Sequence, residues 1–324
     1  MDNLCHTLVG AAFGEAGLKR RTRYGSAALM IAANLPDLDV LVFASSTPAI
    51  SFRRGWTHGI VAQLVLPIAL TAVVVAFDWL WRRAPGGWRH AAHDRAPLNV
   101  TWLLALSYVG IYSHVFLDYL NNYGVRLLAP FDWRWLYGDA VFIVDPWLWL
   151  ALGAGVWLSA RRRAPGPARG ALVFTVCYTL AMLVSARAAR DVVIRTWVAA
   201  RGQAPVALMV GPRPITPLTR DVIVDAGDRY ETATFSWIGP TVTFDRETVP
   251  KNETLPAVRL ARGTEPMRHY LSWARFPFWT VTQGSQGDRV TVGDMRFAGF
   301  GALRVAGAAA RFTATVTVPT TRGE

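Results

Sequence analysis

Charged residues are scarce in this sequence. They make up 17% of the 324 positions, whereas 52% are hydrophobic, and the mean hydropathy is positive. This composition is typical of a membrane protein. The net charge of +12 does not indicate nucleic-acid binding, because the basic residues form short clusters between apolar runs, the arrangement that orients helices in a membrane. We therefore expect membrane lipid as a partner and no nucleic acid.

Cysteine is nearly absent as well. The two cysteines, Cys5 and Cys177, lie in different apolar runs, so no disulfide framework is indicated. Positive charge is also missing before the first apolar stretch and follows it instead, which is the reverse of a secretory signal peptide. We expect this first segment to remain on the protein.

Long apolar runs are what the sequence does contain. They lie near 3–18, 25–45, 58–81, 98–119, 144–160 and 170–189. A membrane span needs about 20 apolar residues, so the short first and fifth runs could instead be tilted in the bundle, re-entrant or interfacial. The runs predict a mainly α fold, a polytopic transmembrane bundle of about five to six apolar helices.

Basic clusters predict the orientation of this bundle. They occupy 19–23, 82–95 and 161–169, and alternate with loops that hold fewer positive charges. Since basic loops stay in the cytoplasm, we expect the loops 46–57 and 120–143, and everything after 190, to lie outside in a periplasm. The sequence thus predicts a multi-pass protein of the bacterial inner membrane.

The pattern of the chain changes near residue 205. Short alternating β-branched segments follow, with Gly, Pro and Asp between them: "DVIVDAGD", "ATFSW", "TVTFD", "DRVTVGDMRF" and "RFTATVTV". Such segments are typical of strands separated by turns. We therefore predict a transmembrane metal-site domain over 1–190, a linker over 191–204 and a β-rich periplasmic domain over 205–324.

Ionisable side chains at membrane depth are costly and usually face a partner or a cavity. With the orientation above, those expected near the outer leaflet are His6, Asp37, Asp39, His58, His114, Asp118 and Asp145. Imidazole and carboxylate suit zinc, and also manganese or iron, and two ligands at i and i+4 on a helix can reach one ion. We predict a divalent metal site, most readily for zinc.

The segment "NLPDLD" (34–39) fits this prediction. Pro36 lacks an N–H group and should break the helix, and broken helices at membrane depth are tolerated where they line a cavity. The break would let Asp37 and Asp39 approach one site. Asp39 could instead accept a hydrogen bond and orient a histidine.

Several of these residues also have ordinary structural explanations. A lone buried histidine such as His6 is more often a satisfied structural residue, and His114 and Asp118 could simply hydrogen-bond each other. Asp78 should lie among headgroups on the cytoplasmic side. His90 and His93 should be solvated in their basic loop, and His269 has no evident partner in the β-rich region.

Five segments in order resemble one known family: "MDNLCHTLVGAAFGEAG", "ANLPDLDVL", "RRGWTHG", "SHVFLDYLNNYGVRLLAPF" and "VFIVDPW". They are similar to the bacterial inner-membrane, metal-dependent hydrolases that include the LexA-regulated membrane protein YdjM. The resemblance covers roughly residues 1–160, and 211–231 looks like the start of the C-terminal domain of longer members. It implies metal ligands at His6, Asp37, Asp39, His58, His114 and Asp118.

The expected function is metal-dependent hydrolysis near the outer leaflet. Bound metal would polarise an ester or phosphoester and lower the pKa of its water, and the location favours a lipid or lipid-linked substrate. The leading ligands are His58, His114, Asp118 and Asp37, completed by His6. Asp39 or Asp145 would serve as general base or supporting residue.

The alternative is a membrane protein without hydrolytic activity, either a metal or proton carrier or a structural partner of envelope proteins. A carrier needs access from both faces, and only Glu15 and Asp78 lie toward the cytoplasm, which disfavours it. A structural role predicts that alanine at His114 destabilises the fold and leaves function intact.

Overall fold

The computed structural model describes residues 1–44, 49–83, 97–239, 241–298 and 312–320. The basic loop predicted over 82–95, with His90 and His93, lies outside the described residues from position 84 onward. The chain divides into two compact units, one formed by 1–41 with 53–183 and the other by 42–52 with 184–324.

Helices dominate the first 201 residues. Among the described residues these are α1 (Asn3–Glu15), α2 (Gly25–Ala32), α3 (Ala49–Phe52), α4 (Ile60–Arg83), α5 (Val100–Tyr119), α6 (Pro146–Arg162) and α7 (Gly166–Arg201), with 3-10 helices at Leu18–Arg20 and Leu35–Ala44. The prediction of a mainly helical N-terminal region is confirmed.

The number of candidate membrane spans is lower than the predicted five to six. Within the described residues α4, α5 and α7 are long and apolar enough to cross a membrane, and α2 with the following 3-10 helix, bent by 50°, gives a fourth if it counts as one span. The helices α1 and α6 have 13 and 17 residues, or about 20 and 26 Å, against a hydrocarbon core of about 30 Å. Their apolar faces are used for packing inside the unit, where Cys5, Val9 and Leu148 are buried together.

Close packing of α5 against α2 positions the site. A Cβ atom added to Gly110 would lie 3.0 Å from both the Ala33 nitrogen and the Leu29 oxygen. Small residues at such crossings let membrane helices approach closely. Since His114 lies one turn beyond Gly110 on α5, this contact brings its ring over the end of α2.

The chain breaks at the predicted place after α2. The Asp37 N–H donates to the Asn34 oxygen at 3.1 Å, in the 3-10 pattern, and so does not bond to the Ala33 oxygen. Pro36, which is three residues after Ala33, has no N–H to offer. The Ala33 carbonyl therefore remains available to another element.

The second unit contains the predicted β-rich region. Its strands are β1 (Ala207–Pro212), β2 (Thr219–Asp225), β3 (Arg229–Ser236), β4 (Val242–Pro250), β5 (Pro277–Thr282), β6 (Asp288–Asp294) and β7 (Thr313–Val318), with helices α8 (Pro256–Arg262) and α9 (Glu265–Leu271) and a 3-10 turn at Met295–Phe297. They form antiparallel sheets in the orders β1-β2-β3-β4 and β5-β6-β7. Most of the stretch expected as a linker, 191–204, is helical, because α7 continues to Arg201 and packs Val193 and Trp197 against the first sheet.

Candidate metal centre

Four of the predicted site residues meet in the first unit. Asp37, His58, His114 and Asp118 are all buried, and each offers a ligand atom within 4.8 Å of the others. Asp37 comes from the 3-10 helix after α2, His58 from the turn before α4, and His114 and Asp118 from successive turns of α5. Segments far apart in sequence therefore supply one imidazole and carboxylate cluster.

The distances within this cluster suit a small cation. The two Nε2 atoms of His58 and His114 are 3.1 Å apart, and Asp118 Oδ2 lies 3.3 Å from the first and 3.6 Å from the second. Asp37 Oδ1 is 3.9 Å from His114 Nε2. Ligands arranged tetrahedrally at the usual zinc distance are separated by about 3.3 Å, so three of these atoms already have nearly that spacing.

The outer nitrogen of His114 is fixed by the break after α2. His114 Nδ1 lies 2.8 Å from the Ala33 oxygen. A carbonyl only accepts hydrogen bonds, so Nδ1 carries the proton and Nε2 presents a lone pair to the cluster. The proline that leaves this carbonyl available thus determines which nitrogen of His114 can bind a metal.

A relay through Thr57 fixes His58 in the same way. The Thr57 hydroxyl lies 3.1 Å from Asp39 Oδ2 and 2.9 Å from His58 Nδ1. An ionised carboxylate accepts only, so the hydroxyl donates to Asp39 and accepts from Nδ1, which leaves Nε2 of His58 unprotonated. Two lone pairs then face each other at 3.1 Å, and a cation between them would satisfy both.

The cluster is flanked by two arginines. Arg54 Nη2 donates to Asp118 Oδ1 at 3.0 Å, and the same oxygen contacts the Met1 amino group and lies opposite the oxygen that faces the histidines. Arg53 Nη2 lies 3.6 Å from Asp37 Oδ1, an oxygen that is buried without a hydrogen bond. Asp118 thus has one oxygen facing Arg54 and the other facing the histidines, whereas on Asp37 the same oxygen lies near both Arg53 and His114.

His6 lies beside the four-residue group. Its ring stacks on that of His114 with centroids 3.8 Å apart, and its Nε2 is 3.4 Å from Asp118 Oδ1. Both ring nitrogens of His6 are buried without a hydrogen-bond partner. Buried polar atoms are normally satisfied, so these two ring nitrogens are an exception at the edge of the cluster, and His6 is not one of the four residues that meet there.

Asp39 and Asp145, expected as general base or supporting residues, differ in position. Asp39 supports His58 through Thr57. Asp145 lies apart from the cluster and caps α6, accepting from the Trp147 and Leu148 nitrogens and, at 2.9 Å, from the Tyr178 hydroxyl. Burial raises the pKa of Asp145, and these hydrogen bonds offset the increase only in part.

The remaining ionisable residues have partners away from the cluster. Asp78 is buried and pairs with Arg23 at 3.1 Å and Arg82 at 2.7 Å, so it contacts protein rather than the expected headgroups. His269 forms an i,i+4 pair with Glu265 at 3.4 Å on α9.

Sequence reasoning did not assign roles to Arg54 or Thr57. Both lie in "RRGWTHG", and either arginine could have pointed inward. Arg54 does so because its backbone takes a left-handed conformation, with φ of +53°, and its own N–H donates to Asp39 Oδ2 at 2.7 Å. The adjacency of Thr57 to His58 was the available signal for the relay.

Comparisons with known proteins identify the family of this chain. Uncharacterized protein YfhP of Bacillus subtilis (strain 168) is 27% identical over 175 residues, which cover 51% of this chain and 48% of YfhP, so the match spans about half the length of that relative. No solved structure matches the chain. The model of the family described as YdjM inner membrane protein matches residues 1–189, which contain all four residues of the cluster that could hold a metal ion. The chain therefore belongs to the YdjM family of inner membrane proteins.

Proposed function

We propose that this protein is a metal-dependent hydrolase of the bacterial inner membrane. The observation that carries the proposal is the pair of histidine Nε2 atoms 3.1 Å apart. In each ring Nδ1 donates a hydrogen bond on the outer side, so that Nε2 presents its lone pair to the cluster. Metal-ligating histidines usually have such an outer hydrogen bond. A pair that served only to stabilise packing would need a proton on one of these nitrogens.

The donor set favours zinc among divalent ions. His58, His114, Asp118 and Asp37 would supply two nitrogen and two oxygen ligands, which zinc accepts readily, and manganese or iron would also suit them. When bound, the ion would polarise an ester or phosphoester bond and lower the pKa of a nearby water. Arg54 donates a hydrogen bond to the Asp118 oxygen that faces away from His58. The Thr57 hydroxyl accepts from His58 Nδ1, which leaves Nε2 of His58 able to bind the ion.

The position of the cluster along the helices supports a lipid or lipid-linked substrate. His58 lies two residues before α4 begins, and Asp118 lies one residue before α5 ends, so both are at one end of candidate spans. The arginines at 82–83 and 161–163 close the opposite ends of α4 and α6. By the positive-inside rule the cluster then faces the outer leaflet and the C-terminal unit lies in the periplasm.

Metal content tests the ligand assignment directly. The full chain, purified in detergent, should retain a stoichiometric divalent metal by elemental analysis, and His114→Ala should lose most of it. His269→Ala, which changes a partly exposed histidine paired with Glu265, is the matched control and should keep the metal. Equal metal content in both variants, with a lowered melting temperature for His114→Ala alone, would show a structural role and refute the proposal.

Activity is tested separately with the same preparations. In vesicles of phosphatidylethanolamine and phosphatidylglycerol, the metal-loaded protein should release phosphate-containing headgroups or fatty acids, and removal of the metal by a chelator should stop release. Metal bound at full stoichiometry with no hydrolysis of phosphoester or carboxylic ester lipids would retain the metal site and reject this substrate class.

A further inference from the structure

Two neighbouring turns of the C-terminal unit expose large apolar side chains. Ile215 and Leu218, in the β1–β2 turn, are 68% and 45% exposed, and Trp237 and Ile238, after β3, are 44% and 69% exposed. Clustered exposed apolar residues usually mark an interaction surface. We call these four residues the apolar tips.

The two turns that carry the tips are joined to each other and to the middle of α7. The Trp237 backbone N–H donates to the Leu218 oxygen at 3.0 Å, which joins the two turns. The Trp237 indole N–H donates to the hydroxyl of Ser185 on α7 at 2.8 Å. The position of Ser185 along α7 therefore fixes the level of the tips.

A second contact gives the direction of β3 along α7. Arg201, at the end of α7, pairs with Glu231 near the start of β3 at 2.7 Å. From Glu231 to Trp237 the strand advances about 20 Å, and from Arg201 back to Ser185 the helix covers about 24 Å. The strand therefore runs beside the helix, back toward its apolar part.

Ser185 lies where the apolar part of α7 ends. The helix is free of charge from 170 to 186, and Arg187 and Arg190 follow. A span of this length ends at the membrane interface, where tryptophan is enriched and arginine can reach lipid phosphates. The tips therefore lie at the level of the lipid headgroups.

We propose that the apolar tips insert into the interfacial region of the lipid leaflet that surrounds α7 near Ser185, where the apolar part of the helix ends. The partner is the lipid surface itself. The opposite end of the same sheet, the β2–β3 turn with Asp228, lies beside the far end of α7 and stays in water. The membrane thus contacts the C-terminal unit at two β-turns in addition to its helix.

Site-specific labels in the reconstituted full chain test this proposal. In a background with both cysteines replaced by alanine, Ile238→Cys and Asp228→Cys would each receive an NBD fluorophore in phosphatidylethanolamine and phosphatidylglycerol vesicles. We expect blue-shifted emission at 238, quenched at least twofold by lipids with a nitroxide near the headgroup, and iodide-accessible emission at 228. Ile215→Cys is an independent probe of the tips and should behave as 238 does.

Two results would overturn the proposal. Emission at 238 and 215 that iodide quenches as strongly as it does at 228 would place the tips in water. Blue-shifted emission that nitroxide lipids leave unquenched would mean that protein, such as a second copy of the chain, covers the tips.

Discussion

Valine at position 57 would keep the shape of threonine and remove the hydroxyl that joins His58 to Asp39. After Thr57→Val, His58 Nδ1 and Asp39 Oδ2 remain 3.7 Å apart with nothing between them, while Asp39 keeps its bond from the Arg54 N–H. The buried Nδ1–H is then unsatisfied, or its proton moves to Nε2 and removes the lone pair from the cluster.

Both outcomes cost a similar amount. An unmade buried hydrogen bond costs about 1–3 kcal/mol. Loss of a group that supports a metal ligand reduces metal affinity about 10- to 100-fold, which corresponds to about 1.4–2.8 kcal/mol. We therefore expect the metal dissociation constant of Thr57→Val to rise by one to two orders of magnitude, with the helix bundle still folded.

The assay is competition for zinc with a chromophoric chelator, using detergent-purified protein. Thr57→Ser retains a hydroxyl and should bind metal close to wild type, which separates the relay from any effect of altered packing. Wild-type affinity in Thr57→Val would refute the relay, and equal weakening in both variants would assign the effect to packing.

Other predictions follow from the same structure. Gly110→Leu cannot fit against α2 and should lower both the melting temperature and the metal content of the purified protein. Arg54→Ala removes one of the two cationic groups that contact the buried Asp118 carboxylate, leaving the Met1 amino group, and should cost about 3 kcal/mol, the lower end of the range for a broken buried ion pair, measured by thermal unfolding in detergent; a change below 1 kcal/mol would contradict the buried pair. Burial raises the pKa of Asp294, but Arg296 and the hydrogen bonds lower it more, to below its usual value, so this pair stabilises the fold fully above pH of about 3.9 and loses that contribution as pH falls through the folded pKa. Asp294→Asn should flatten this acid dependence in melting experiments. Reporter fusions after residue 90 and at the C-terminus should score on opposite sides of the membrane, and matching scores would reject the proposed orientation.

Much of the candidate site could be predicted from relations between residues that are close together in the sequence. His114 and Asp118 share a face because they are four residues apart, and Pro36 fixes the break that carries Asp37. The β-strands follow from alternation of side chains, as in β2 and β6. These signals are local, so a single sequence contains them.

The number of spans depends on what each apolar run packs against. The apolar face of α1 is covered by protein, with Cys5 and Val9 buried among residues of α5 and α6. Hydropathy has the same value whether lipid or protein covers a side chain, so the apolar runs predicted more membrane spans than the described residues contain. The inward turn of Arg54 likewise depends on one backbone conformation and on an acceptor 64 residues away in sequence.

The pairing of Arg54 with Asp118 bears on how the chain enters the bilayer during synthesis. A charged aspartate such as Asp118 is costly to bury at membrane depth unless a partner neutralises it. Arg54 emerges 64 residues before Asp118, so the cation is already present when α5 arrives with its carboxylate. The earlier segment thereby acts as an insertion partner for the later helix, and the order of the two charges in the gene becomes part of the folding pathway.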